Sequence, residues 1–488
     1  MKDLKERDSR ISLVVLVLSV GSGIFITTLD TSVIVLLLDT IKDDFGIQQN
    51  EVQWVILVYL MVMIAFTVIA GNLGDKFGHK LLFQIGLGIL ILGCILCFFS
   101  NSFVFLIMSR VIVSIGVSSI ISNGMAILTY FTTTDNRGSI IGYTNLLIGL
   151  SVLIGVVLAS VLKDKFGWNS TFLISIPIGI MSLISVQLCI PKITIESEKK
   201  GADWMGAFAF AIFLSLLILS FSFFVELQIN RYLLWAGIFL LLSFVFFGVF
   251  ILIENKTGNP FIDLKLIKNK KIAVGIITTI VAEWGMIVIV YQYPFYLQDI
   301  QGMDNIMLVG LTIAGLPVSM PILAVIAGKI SDKIDARIIS TIGLVGMSLT
   351  FLILIFIIRV DTPIWLLVLV SVLMGSTYGI FMTPNNNSVM TAAPKDKLGV
   401  VGALTRLAMS VGISLGTALS ACLFVLSGNI LEKRTGLGIE HPPHYIISLR
   451  VEFIIFSIII LLAAFYSYSR GPEERGRKFL KEDNRSFT

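Results

Sequence analysis

Apolar residues in this chain come in long unbroken runs rather than in alternation. Fourteen stretches, at 11–38, 52–71, 81–99, 103–127, 138–162, 170–190, 204–225, 231–253, 272–297, 306–328, 338–358, 363–383, 399–426 and 446–469, are separated by short polar connectors. About 20 apolar residues is the length an α-helix needs to cross a hydrocarbon core about 30 Å thick. No water is available there to satisfy exposed amides, so runs of this length are expected to be helices; barrel strands would give shorter, alternating segments. The pattern predicts an all-α polytopic membrane protein with 14 transmembrane helices.

Composition agrees: 56% of residues are hydrophobic and 14% charged, against about 25% charged in soluble domains. Lys and Arg are placed unevenly, with 26 at the termini and the even-to-odd connectors and 6 in the opposite connectors. Positive residues near span ends are retained on the cytoplasmic side, which predicts a multi-pass protein of the plasma membrane with cytoplasmic N- and C-termini. The net charge of +5 restates this bias. The basic cluster from Lys265 to Lys271 and the tail from Arg475 to Lys481 therefore suit anionic lipid headgroups rather than nucleic acid. The first span is too long for a cleaved signal and is expected to remain. Cys94, Cys97, Cys189 and Cys422 fall inside spans, where they read as packing residues. No metal site or cofactor is expected. His79, His441 and His444 lie in connectors with no acid or nucleophile constellation around them, which argues against an enzyme. The absence of GxxxxGK[ST] points to an ion gradient rather than ATP as the energy source.

One signal occurs twice. Gly71-Asn-Leu-Gly-Asp-Lys-Phe-Gly-His-Lys80 follows span 2, and Gly328-Lys-Ile-Ser-Asp-Lys-Ile-Asp-Ala-Arg337 follows span 10. The chain thus divides into a six-span half (1–200), an inserted pair with its linker (201–256), a second six-span half (257–470) and a tail (471–488). Paired repeats of this kind build many secondary transporters, with substrate bound between halves that rock against each other.

The order of motifs resembles the fourteen-helix drug:proton antiporter branch of the major facilitator superfamily. The resemblance rests on Leu29-Asp-Thr-Ser-Val33, the Gly71–Lys80 segment, Arg110 with Gly116, Pro260-Phe-Ile-Asp-Leu-Lys-Leu266, Pro294-Phe-Tyr-Leu-Gln298, Gly310 with Pro317, and Gly375, Gly379 and Pro384. It implies two six-helix pseudo-repeats plus the inserted pair. It departs at span 5, where the family's GPxxGG is Gly155-Val-Val-Leu-Ala-Ser160. It departs again at Val113, Ser114, Val35 and Asp39.

An ionisable side chain within a span costs about 2.5–3.5 kcal/mol on insertion scales, so each needs a partner, a wet cavity or a task. Asp30 in span 1, with Thr27 and Thr31 at helical spacing, suits a carboxylate whose protonation competes with a cationic substrate; alternatively the threonines hold it as a static packing group. Arg110 sits about seven residues into span 4, where its stem could snorkel toward the cytoplasm; the resemblance implies proton handling. Glu283, with Trp284, Tyr291, Gln292 and Tyr293, suits a lipophilic cation through charge and cation–π attraction, or interhelical bonding beside an aromatic belt. Gly71, Asp75, Gly78 and Lys80, with Asp332 and Arg337, read as solvated loops to which the resemblance gives a gating role. Gly142, Gly149, Ser151, Gly155 and Ala159 allow close packing of span 5. Arg406 is a possible second-half counterpart of Arg110. Glu226, Arg450 and Glu452, near outer span ends, are expected to be solvated. Asn385, Asn386 and Asn387 are expected to cap a helix broken at Pro384.

These residues suggest a secondary active transporter that exports small amphipathic or cationic compounds against proton entry, with a small molecule, protons and the bilayer as its partners and no obligate protein partner. An uncoupled facilitator or importer of a small metabolite is the alternative. A membrane sensor or membrane-embedded enzyme is a remote one.

Overall fold

The computed structural model describes residues 13–47, 49–131, 137–191, 204–224, 230–257, 264–303, 305–331, 334–394, 398–435 and 441–471. Its long helices are α1 (Leu13–Phe45), α2 (Trp54–Phe77), α3 (His79–Phe98), α4 (Phe103–Tyr130), α5 (Arg137–Phe166), α6 (Trp168–Cys189, opening with a tight turn), α7 (Trp204–Phe224), α8 (Asn230–Lys256), α9 (Lys270–Phe295, continued by a wide turn to Ile300), α10 (Ile306–Ser331), α11 (Ala336–Ile357), α12 (Ile364–Ala392), α13 (Leu398–Thr435) and α14 (Pro442–Tyr468). No strand occurs among the described residues. Among the described residues thirteen helices are long and apolar enough to cross a membrane, and α7 is apolar over the shorter stretch Met205–Phe221. Below, the inner side is the one on which α1 begins and α14 ends, and the outer side is its opposite.

Helix ends show why the connectors are short. The segment Gly71–Phe77, read from sequence as a loop, is the last part of α2; the chain turns at Gly78 alone, whose φ of +98° suits glycine. Asp335 caps α11 by accepting from the Arg337 amide at 3.0 Å. Pro384 does not break α12, which runs on to Ala392. The asparagines after it are therefore not caps, and Asn385 is buried and bonded across to α9. Cys94, Cys97 and Cys422 pack inside as expected, whereas Cys189 is exposed.

Glycine lets helices of each half touch backbone to backbone. A Cβ on Gly116 of α4 would lie 2.5 Å from the Leu90 amide of α3, and one on Gly375 of α12 would lie 2.2 Å from the Leu316 carbonyl of α10. The halves repeat each other in their tethers too. Lys80, at the start of α3, donates to the Gln187 and Ile190 carbonyls at the end of α6. Arg337, at the start of α11, stacks 4.7 Å over the Tyr468 ring at the end of α14. Each cation sits against a helix C-terminus, the negative end of its dipole.

The halves meet through α5 against α10 and α2 against α13. Gly310 faces Val156 so closely that a Cβ would fall 2.1 Å from its side chain, and Gly149 faces the Pro317 carbonyl. The residue standing where the family carries proline is therefore the one that fits the groove at Gly310. Polar ties join the halves at the outer side: Lys42 pairs with Asp299 at 3.3 Å, and the Tyr291 hydroxyl reaches Gln53 Oε1 at 3.4 Å. The inserted pair bridges the halves. Leu214 of α7 packs on Val411 of α13, and Ile218 packs on both Leu57 of α2 and Ala418 of α13.

Candidate functional site

Asp30 lies midway along α1 and is buried, as is Arg110. Arg110 Nη1 donates to Asp30 Oδ2 at 2.8 Å, with both side chains shut off from solvent. Helix α4 enters from the outer side, so Arg110 is in the outer third, and it reaches laterally to α1 rather than snorkelling to the cytoplasm. Its guanidinium rests 4.5 Å over the Tyr59 ring, while the Tyr59 hydroxyl and Thr31 Oγ1 share a hydrogen bond of 3.0 Å. Arg110 Nε and Nη2 are buried with no hydrogen-bond partner among the described residues. The threonines do not hold the carboxylate: Thr27 donates to the Ile24 carbonyl at 2.7 Å and Thr31 to that of Thr27 at 2.9 Å. A lone buried carboxylate is prohibitively costly, and a well-placed guanidinium is what makes it tolerable.

The second half repeats this arrangement with different chemistry. Glu283 of α9 accepts from the Tyr378 hydroxyl of α12, an acid–phenol pair across the helices that correspond to α1 and α4. Behind it, Glu452 of α14 is fully buried, not solvated, and accepts from Gln292 Nε2 at 2.8 Å and from Ser420 Oγ. Gln292 and Tyr291, predicted to contact substrate, are buried in these bonds, whereas Trp284 and Thr31 keep partial exposure. The Trp284 indole Nε1 lacks a hydrogen-bond partner among the described residues.

Arg406 stands on α13, in the inner part of a helix that corresponds to α5, so it is not the counterpart of Arg110. It is exposed. Arg450 is bonded to the Ile358 carbonyl at 2.8 Å. Glu226 lies outside the described residues.

At the inner side, His79 Nδ1 and Asn123 Oδ1 are 2.8 Å apart, and Asn123 Nδ2 donates to the Ala70 carbonyl. Gly74 makes room for them, since a Cβ there would fall 1.9 Å from Asn123 Oδ1; Gly71 is likewise close to Ser122. In the other half Asn385 takes the place of Asn123, donating to the Gly275 carbonyl and Thr279 and accepting from Arg470 at 2.9 Å. Asp332 lies outside the described residues, and of Asp75 the structure describes only its helical backbone. Gly155 packs on Ser32, Val33 and Leu29 of α1, within the bundle that holds Asp30. Ser151 and Ala159 are buried alongside, and Gly142 is helical.

Sequence reasoning named both members of the Asp30–Arg110 pair without joining them. It passed over Tyr59, Tyr378 and Asn123, whose polar atoms inside otherwise apolar spans were the available signal. It also misread Glu452, ten residues inside α14. No group of His, Cys, Asp and Glu able to hold a metal occurs among the described residues.

Comparison with known proteins follows this architecture. The chain is 31% identical over 447 residues to the riboflavin transporter RibZ of Clostridioides difficile (strain 630), covering 90% of this chain and 93% of that protein. It is 25% identical over 432 residues to the multidrug resistance protein Stp of Mycobacterium tuberculosis, covering 88% and 77% respectively. The solved structure of a bacterial homolog of the human lysosomal transporter Spinster, inward-facing and occupied, matches with a TM-score of 0.65 at 14% identity over 96% of this chain and 97% of that one, a likeness of fold. The model of the Major Facilitator Superfamily matches residues 20–417, so the chain belongs to that superfamily and is a membrane transporter, not an enzyme, similar to its multidrug resistance members.

Proposed function

We propose that this protein is a secondary active transporter that exports small amphipathic compounds in exchange for protons, by alternating access, with both termini in the cytoplasm. The observation that carries the reading is the buried Asp30–Arg110 pair, seated on Tyr59 between α1 and α4. Protonating Asp30 removes the charge that holds Arg110, whose other nitrogens already lack partners among the described residues. The tie between α1 and α4 is then lost, and Arg110 must find another acceptor. A proton taken up at this point changes the packing of the first half, one of the two between which substrate binds, which is the linkage antiport requires. The Lys42–Asp299 and Tyr291–Gln53 ties fit a state closed at the outer side, in which the compound enters from the inner side.

The test is transport by the full chain in proteoliposomes under an imposed pH gradient, with internal pH and compound followed together. Wild type is expected to move protons only when compound is present, and Asp30→Asn to lose that coupling while still binding. Full gradient-driven flux in Asp30→Asn would remove Asp30 from the coupling step.

A second reading, uncoupled or inward transport of a small metabolite, draws on Val156 in place of the family's proline and on the similarity to a riboflavin transporter. Riboflavin counterflow without proton movement would favour it.

A further inference from the structure

Asp30 is buried beside a guanidinium; Glu452 is buried with no cation paired to it among the described residues. Glu452 stands ten residues into α14, about 15 Å from the outer end of that helix at 1.5 Å per residue. Its polar partners are Gln292 of α9 and Ser420 of α13, while Arg450, two residues before it, is turned to the Ile358 carbonyl. Helix α11 meets this part of α14 with Phe351, which packs on Phe453 and Phe456. The titratable groups that face Glu452 are the phenols of Tyr291 and Tyr445, which bring no positive charge. A buried carboxylate without a cation is costly, and such a group takes a proton instead.

The three side chains form a ring that serves either protonation state. Gln292 Nε2 donates to Glu452 Oε2 at 2.8 Å and to Ser420 Oγ at 3.0 Å, and Ser420 Oγ is hydrogen-bonded to Glu452 Oε1. With the carboxylate ionised, the Ser420 hydroxyl donates to Oε1. With the carboxyl protonated, Oε1–H donates to Ser420 Oγ, which has a second lone pair. The serine hydrogen then turns to its own helix, where the carbonyl four residues earlier can accept it. Neither state requires a heavy atom to move, whereas protonating Asp30 strips Arg110 of its acceptor. Toward the outer end, Tyr445 and Ser448 share the face of α14 that carries Glu452, at spacings of three and four residues. Both hydroxyls are buried and lack a hydrogen-bond partner among the described residues. Buried hydroxyls of this kind are where internal water binds, and they line a way for a proton to reach Glu452.

We propose that Glu452 is a proton-binding site of the second half, held in a ring with Gln292 and Ser420 and reached from the outer end of α14 past Tyr445 and Ser448. This rests on the reading of a proton-driven transporter, but not on Asp30 as its coupling site.

Infrared difference spectra of the purified full chain in lipid test the proposal, because the carbonyl stretch of a protonated carboxyl stands clear of the amide bands. Wild type is expected to show a carboxyl band that fades as pH rises from about 5 to about 9, a range that reaches the values met in buried glutamates. Glu452→Gln should lose that band, while Asp30→Asn and Glu283→Gln retain it. Ser420→Ala removes a donor to the ionised form and should move the midpoint up by about one pH unit. In heavy water, Tyr445→Phe combined with Ser448→Ala should slow the deuterium shift of the band several-fold. A wild type without a titrating band overturns the proposal, as does a Glu452→Gln protein that elutes as a single species with the band intact. A Glu452 band unchanged up to about pH 9 also overturns it, being the mark of a fixed structural proton. A deuterium shift as fast in the double variant as in wild type overturns the route past Tyr445 and Ser448. Compound transport without proton flux, in a protein whose Glu452 band still titrates, would instead remove the antiport reading and leave the proton site standing.

Discussion

Removing one member of the Asp30–Arg110 pair should cost more than removing both. In Asp30→Ala the Arg110 guanidinium, fully buried and already without partners at Nε and Nη2, loses its one acceptor. At an effective dielectric constant of about 20, two unit charges about 4 Å apart attract by about 4 kcal/mol. Breaking a buried pair on one side costs about 3–5 kcal/mol, because it strands the other charge. The stacking on Tyr59, at 4.5 Å, returns about 0.5–2 kcal/mol of this. The expected loss for Asp30→Ala, and for Arg110→Met, is thus about 3 kcal/mol each. The double variant should lose well under the sum, giving a coupling of at least about 2 kcal/mol. Unfolding of the detergent-solubilised protein can be followed with a thiol-reactive fluorophore in a Cys189→Ser, Cys422→Ser background, which removes the exposed thiol and the one in the second half and leaves Cys94 and Cys97, buried and labelled only when the first half opens. Additivity of the two single variants to within about 0.5 kcal/mol would refute the reasoning.

Gly375→Val forces a side chain onto the Leu316 carbonyl, where even a Cβ would be 2.2 Å away, and is expected to destabilise the second half by about 1–3 kcal/mol or more, read as a lower melting temperature. Gly310→Val should wedge α5 from α10 and slow transport, with Val156→Gly in the same chain restoring part of the rate; no rescue would mean the two residues do not meet during the cycle. Glu452→Gln keeps hydrogen-bonding capacity toward Gln292 and Ser420 and should shift stability by less than about 1 kcal/mol, whereas Glu452→Leu takes the shared acceptor from the Ser420 hydroxyl and from one N–H of the buried Gln292 amide, which keeps its bond to Ser420, and should lose about 1–3 kcal/mol, read as a lower melting temperature. Lys42→Glu should favour outer opening by about 1 kcal/mol, a several-fold rise in labelling of a cysteine placed just inside the outer side, and adding Asp299→Lys should reverse it.

What the sequence by itself determined is whatever depends on the solvent each residue must face. The lipid demands long apolar helices, so the spans were readable one at a time from runs of residues, and the Gly71 and Gly328 segments stood out as one signal met twice. Single charged residues stood out for the same reason: Asp30, Arg110, Glu283 and Arg406 are conspicuous against Leu, Ile and Val. Partnership was not readable, because it depends on which helix faces meet. Asp30 and Arg110 are 80 positions apart, Glu283 and Tyr378 are 95, and Gln292 and Glu452 are 160. Only the packing of α1 against α4 and of α9 against α12 and α14 brings them together. The same packing decided that Glu452 is interior although it stands near an outer span end, and that Asn385 ties α12 to α9 instead of capping it. It also decided that Arg406, on α13 rather than α12, has no hydrogen bond or ion pair among the described residues. A residue type reports the cost of burial; only the tertiary structure assigns the neighbour that offsets it.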